Sequence, residues 1–400
     1  MEPSFGWVSL TPKALARARG QLNAESQGVR DEVGFLLLHQ RYADRFFPGT
    51  SVLHTRLRYA LFVPWQFEAE RGKHTAVAER ARAASEIALA KRLKDGLQAG
   101  AIGGSTWPNA PDQSPSSIYW SALDAWGILR RDARGRTPTR RGVHERFAVA
   151  RPTLDDEGEP LFGYEPPFVT LPPPGEDWTS GGPLSFALLA DERAFLAERL
   201  SSVLAPAPCA HLSLLSQLAR SGAPLSGSLW SRAVLDLAGR DRAALQRARS
   251  SAALAAIGRG VYAALVETLR DRVDKRETPH RHRSVLPKLV DEHRARALEL
   301  GGRGLDLVEG DVGVLPPKLR QLMAETLEWL DRGGGDPMPL LDPYEAAEGR
   351  KQERARLRRT PGARMRRAEW QAHDHPVGYP LHYRWASVRR LLDDLRAPAA

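Results

Sequence analysis

The sequence predicts a mainly α-helical protein. It has an N-terminal helical domain carrying a winged helix-turn-helix-like unit, followed by a C-terminal all-helical domain. Three observations predict this. Apolar residues recur at helical spacing through the second half, as at Leu188, Phe195 and Leu196, at Val261, Leu265 and Leu269, and at Leu319, Leu322 and Leu327. Ser, Thr and Pro stand where helices would start and Gly where they would stop. Between Ser116 and His144 the order is short helix, glycine, apolar pair, basic turn, Thr, two Arg and Gly. That order resembles a recognition helix running into a two-stranded wing. A chain of 400 residues is more than one compact core usually holds. The sequence divides at residues 1–150 (helical and winged-helix-like), 151–183 (Pro-rich linker or arm), 184–340 (helical) and 341–400 (basic C-terminal helical segment).

Taken in order, residues 5–10 alternate weakly and predict a short strand. Thr11-Pro12 caps a helix over 13–22. A helix over 30–47 ends at Pro48-Gly49, and Thr50 or Ser51 caps the next, over 52–63, before Pro64. An Ala-rich helix covers 79–97. The loop 103–115 is dense in Gly, Pro, Ser and Asn, after which Ser116 or Ser117 caps the short helix 118–126. Phe162, Tyr164, Phe168 and Trp178 give the Pro-rich arm aromatic groups to pack. The second half predicts helices over 184–204, 211–220, 229–237, 242–257, 261–272, 285–300, 317–330, 344–359 and 385–395. Gly301 to Gly304 and Gly333 to Gly335 read as turns.

Charge carries the functional signal. Lys and Arg total 58 against 48 Asp and Glu, for a net +10, and arginine supplies most of it. Residues 130–146 hold seven arginines against Asp132 and Glu145, and residues 350–367 hold nine basic residues against Glu353. These two segments exceed the whole-chain surplus, so the rest of the chain is net acidic. Clustered arginine suits bidentate phosphate contact. On a winged helix, Ser116, Ser117 and Tyr119 would front the recognition helix. Arg130, Arg131, Arg134, Arg136, Arg140 and Arg141 would decorate the wing and the start of the next helix. Arg354, Arg356, Arg358, Arg359, Arg364, Arg366 and Arg367 form the second basic surface.

Other chemistries leave little trace. One cysteine, Cys209, excludes an intramolecular disulfide framework and a Cys-based zinc site. His280, His282, His373, Asp374, His375 and His382 show no metalloenzyme spacing, so neither a metal nor a cofactor is expected. There is no GxxxxGK[ST] loop, no GxGxxG after a strand and no GxSxG elbow. No apolar run approaches the roughly 20 residues of a membrane span. The first seven residues lack a secretion signal, which leads to the expectation of a cytoplasmic protein.

Phe5-Gly6-Trp7, the block from Tyr42 through Phe46-Phe47-Pro48-Gly49-Thr50-Ser51, Thr55 to Tyr59, Phe62 to Trp65, Pro115 to Trp120, and Trp126-Gly127-Ile128 resemble a bacterial family, the domain of unknown function 6361 family. The closing His382 to Trp385 fits its style. The likeness covers residues 5–128 well and the remainder in layout. The resemblance implies a setting in phage-defence loci beside helicases and phospholipase-D-like nucleases. It assigns no catalytic residues. Within the block, Arg56 and Arg58 project from a capped helix as backbone or partner contacts. The expectation is a non-catalytic nucleic-acid-binding or scaffolding subunit of a bacterial antiphage defence complex. DNA is its first expected ligand and RNA its second, with a helicase or phospholipase-D-like nuclease as protein partner. A metal-dependent nuclease with a cryptic acidic site and a winged-helix transcriptional regulator stay open as alternatives.

Overall fold

The computed structural model describes residues 32–132, 134–149, 166–222, 225, 227–276, 281–370 and 378–398. The strand expected at 5–10, the helix at 13–22, the acidic run at 155–159, Phe162, Tyr164, His280, His373, Asp374 and His375 lie outside the described residues. Among the described residues there are sixteen α-helices and no strand. The mainly helical class is therefore correct.

Helix α1 (Phe35–Phe46) follows Gly34, whose positive φ of 119° sets the entry. It turns Phe35, Leu38, Tyr42, Ala43 and Phe46 inward and ends at Phe47, with Gly49 at φ 77° just beyond. A Cβ at Gly49 would sit 2.6 Å from that of Ala125, so the Pro-Gly stop is also a point of close approach to a later helix. The next helix differs from its expected span. Residues 51–58 form turns, and α2 (Tyr59–Glu68) runs through Pro64. Proline interrupts a helix by removing one N–H and crowding the preceding turn. Here nine of ten residues are buried, and tertiary packing outweighs that cost. Helix α3 (Thr75–Asp95) crosses α2. Helix α4 (Pro115–Ala125) starts earlier than expected, because Ser114 is the N-cap, accepting from Ser117 N, with Pro115 as the first helical residue.

After α4 the extended residues 128–130 do not form a two-stranded wing. Asp132 N donates to Arg136 O (2.9 Å) and closes a tight turn, but the pairing partner is the Pro-rich arm. Arg130 N donates to Pro167 O (2.8 Å) and Val169 N to Ile128 O (3.0 Å) around an isolated Leu129–Phe168 bridge. The reason is apolar. Phe168 is buried beside Phe67 and Phe147, so the arm and not the polar turn supplies the matching side chain. Helix α5 (Arg140–Val149) then packs on α3. The arm continues over α2, where Trp65 Nε1 donates to Pro172 O (3.1 Å) and Trp178, in the single turn α6 (Glu176–Thr179), stacks on Phe62 at 5.2 Å.

Beyond the arm come α7 (Ala190–Ser201), α8 (Leu214–Ser221) and α9 (Arg232–Leu237). The centre is α10 (Arg242–Arg272), 31 residues long, in which every residue from Ser250 to Leu269 except Arg259 is buried. The sequence predicts two helices here, broken at Gly258-Arg259-Gly260. They are one, because both glycines serve packing. A Cβ at Gly258 would meet the Phe35 ring at 2.5 Å, and one at Gly260 would meet Leu289 at 2.8 Å. The segment Gly239–Arg272 is long and apolar enough to cross a membrane by length and composition, contrary to the expected absence of any such run. However, 94% of its most apolar window is buried inside the protein.

Around this spine lie α11 (Arg281–Leu298), α12 (Gly304–Val312) and α13 (Pro317–Asp331). The expected turn is present at residues 301–303 and leads directly into α12 at Gly304. The helix expected over 344–359 is α14 (Leu341–Glu348), a 3-10 stretch Gly349–Arg354 and then α15 (Pro361–Ala368) capped by Thr360. Helix α16 (Trp385–Arg396) returns to pack on α7 and α8. One apolar cluster runs through all of these, from Val33 to Leu395.

Candidate nucleic-acid interface

The first expected basic face is α4, the turn after it and α5. Its side chains divide by burial. Ser116 is buried. Its N–H donates to Glu86 Oε1 (2.9 Å) and its hydroxyl accepts from Arg82 (2.8 Å). Tyr119 is also buried. Its hydroxyl donates to Arg56 O (2.6 Å) and accepts from the Thr55 and Arg56 N–H groups. Burial pushes that phenol well above its usual range. Ser116 pins α4 to α3 and Tyr119 pins it to the 51–58 turns; neither has surface to offer a base, which corrects the expectation for this helix. Ser117 and Ser121 are exposed instead.

The arginines of this face lie outward. Arg131 grips Asp124 with two bonds (2.9 and 3.1 Å). Asp132 accepts from the Arg136 N–H and guanidinium and from the Arg134 N–H. Those bonds, the Arg136 N–H first, hold its carboxyl below the ordinary value. Arg141 pairs with Glu145 (2.9 Å), and Arg140 reaches the Ser117 hydroxyl. Arg134 is exposed and Arg130 half-buried, and neither guanidinium has a partner among the described residues. The pairs of Arg136 and Arg141 lie near the surface and are weak and exchangeable, while the two-bond pair of Arg131 with half-buried Asp124 is firmer.

Arg56 and Arg58 do not project as expected. Arg56 forks onto Asp394 of α16 (3.0 and 2.9 Å) and lies over the Phe186 ring at 4.6 Å. Arg58, 1% exposed, binds Glu192 (2.8 and 2.7 Å) and Asp177, and donates to Ser185 O (2.8 Å). It fastens α2 to the arm and to α7.

The second basic segment is folded, and part of its charge is spent internally. Arg367, 1% exposed, forks onto Asp274 (2.7 and 2.7 Å) and caps the Arg356 and Arg358 carbonyls. Arg356 meets Glu32 (3.4 Å) and the Tyr262 hydroxyl (3.3 Å), and Lys351 pairs with the same Glu32. Buried Glu348 organises this corner. It accepts from Tyr262 and from the Arg356 and Leu357 N–H groups at 2.6 to 2.8 Å. Arg367 is thus a second correction, and Arg356 is largely committed inward. Arg354 and Arg359 are exposed with no partner among the described residues. Arg358 is half-buried beside Gly349. Arg364 donates to Asp274 O (3.2 Å) and Arg366 to Glu369 (2.9 Å), each from an accessible position.

The sequence reading missed the carboxylates that claim these arginines, namely Asp177, Glu192, Asp274 and Asp394. They lie some ninety to over three hundred residues away in the chain, and no local signal marks them. It also missed Trp107, a half-buried ring with Lys94 Nζ 5.2 Å and Lys91 Nζ 6.0 Å from its centre. A Trp in a Pro- and Gly-rich loop just after a Lys-bearing helix was the available clue. Of the histidines, His282 is buried against Trp370 (5.2 Å) and His382 lies edge-on to His39 (4.7 Å). Among the described residues no group of three His, Cys, Asp or Glu is placed to hold a metal ion.

The comparison with curated proteins finds no match, and neither does the comparison with solved structures. The expected family is found: the sequence model of the family of unknown function DUF6361 matches residues 3–282, well over half of the chain, and the protein belongs to that family.

Proposed function

We propose that the chain is a non-catalytic, nucleic-acid-binding subunit whose main contact is the face built from α4, the Asp132 turn and α5. The observation that carries this is the density of accessible arginine there. Arg130 and Arg134 have no partner among the described residues, Arg136, Arg140 and Arg141 are held by groups at the surface, and Arg131 stays exposed beside Asp124. Positive charge of this kind binds phosphate by releasing counterions. In this reading α4 is the helix presented to the nucleic acid. Ser117 and Ser121 face the duplex, and the Asp132 turn stands in for a wing, braced from behind by the arm. Arg354, Arg359, Arg364 and Arg366 give a second, sequence-independent contact. The family resemblance supports a place in a bacterial antiphage complex, with a helicase or nuclease doing the chemistry.

The test is duplex and single-strand binding across a salt series. Affinity is expected to fall steeply with salt. Changing Arg130, Arg134 and Arg140 together to Ala should lower the log–log slope by about 2 to 3, close to 0.9 per lost phosphate contact. Absence of binding even at about 50 mM salt sinks the nucleic-acid reading and leaves a scaffold, which co-purification with neighbouring gene products would then define.

A further inference from the structure

A cleft between α10 and α11 holds two donors, Arg249 and Trp230, with no acceptor among the described residues. Arg249, Ala252 and Ala253 line it from α10, His293 and Arg296 from α11, and Trp230 adds an indole. Its volume is about 450 Å³, within the range of small-molecule sites. The alanine methyls leave that space open where larger side chains would fill it. Arg249 is half-buried and has no hydrogen bond or ion pair among the described residues. Its helix neighbour Arg247 forks onto Asp311 at 2.7 Å, and Arg296 binds Glu299 (2.7 and 2.8 Å). The Trp230 Nε1–H also has no acceptor among the described residues, while its ring lies edge-on to Tyr383 at 5.9 Å. The His293 Nε2 lies 3.9 Å from the Glu292 carboxylate. A guanidinium, an imidazole and an indole line one space. The matching ligand carries phosphate oxygens and a flat aromatic group. Two carboxylates, Glu292 and Glu299, share the lining and limit how much negative charge the cleft accepts.

We propose that this cleft binds a nucleoside monophosphate. Trp230 packs on the base, Arg249 and His293 take the phosphate, and Ala252 and Ala253 provide the room. The group comes either from a free nucleotide or from the 5′-phosphorylated end of a strand. The site is separate from the basic faces and does not depend on their role. Calorimetric titration of the full chain with AMP tests it. Saturable binding is expected, weaker with adenosine, no tighter with ATP, and weakened at least about tenfold by Arg249→Ala with an unchanged melting temperature. Arg249→Lys should restore part of the affinity. Competition by a 5′-phosphorylated oligonucleotide, and not by its 5′-hydroxyl twin, assigns the site to strand ends. A lack of competition assigns it to free nucleotide. No saturable heat with AMP, GMP, CMP or UMP up to about millimolar concentration overturns the proposal, as does equal affinity in Arg249→Ala.

Discussion

Arg58 and Arg354 are the same residue type with opposite fates. Arg58 is enclosed by two carboxylates and a carbonyl, so removing it strands buried charge on Glu192. Arg58→Ala is expected to cost about 3 to 5 kcal/mol in a urea melt. Arg354→Ala should stay within about 0.5 kcal/mol, because nothing described leans on it. An equal, small effect for both would refute the internal role of Arg58. Two histidines add a pH dependence. Burial lowers His54 to about 4, with its Nδ1 accepting from Ser51 N (3.3 Å) and its Nε2 facing Ile118 O (3.0 Å). Burial, then the neighbouring His382, Arg384 and Arg259, lowers His39 to about 3. Both start from 6.5 when unfolded. The unfolded chain therefore takes up more protons as pH falls below 6.5. Stability is full above that pH and is lost as pH drops toward 4 for His54 and 3 for His39. His54 alone contributes roughly 3 kcal/mol over its window. Urea midpoints at about pH 7.5 and pH 5 measure this, and His54→Gln should remove roughly half of the difference, His39 supplying the rest. At this scale the sequence marked the arginines but not which of them are buried. Burial is decided by partners such as Asp274 and Glu192, which only the fold brings near.

Helices were legible where periodicity and caps agreed. Residues 317–330 and 385–395 match α13 and α16 almost end to end, whereas α15 behind the Thr360-Pro361 cap was not read. Reading failed where a residue that usually interrupts a helix serves contact. Pro64 stays inside α2 because the whole helix is buried, and Gly258 and Gly260 stay inside α10 because Phe35 and Leu289 need the space. Gly258→Ala therefore tests the reading of that element. Helix propensity alone favours alanine by about 1 kcal/mol. The clash with Phe35 should reverse the sign and destabilise by about 1 to 3 kcal/mol in thermal or urea melts. A more stable variant would show that the glycine is no packing device. The wing failed for a related reason. The letters from 128 to 136 describe a hairpin, but Phe168 offers Leu129 a better apolar neighbour than the polar return does.

Across the whole molecule, the two basic segments of the sequence end as unequal surfaces. The α4–α5 face keeps its arginines outward, while the 350–367 segment directs Arg356 and Arg367 inward to hold α10 and its surroundings. Deleting the wing-side charge is thus expected to change binding with little change in stability. Changing Arg367→Ala should unfold the C-terminal corner before it reports on any ligand, visible as a lower melting temperature. The site was legible in outline because charge density is additive along a chain, and illegible in detail because ion pairing is not. The spine α10 has one more consequence. The match to the family model stops at residue 282, just past its end, yet α11, α13 and α15 press on the same helix. A shortened chain ending there would leave Val261, Leu265 and Leu269 without part of their cover. Residues beyond the matched region are therefore part of what keeps this helix away from solvent.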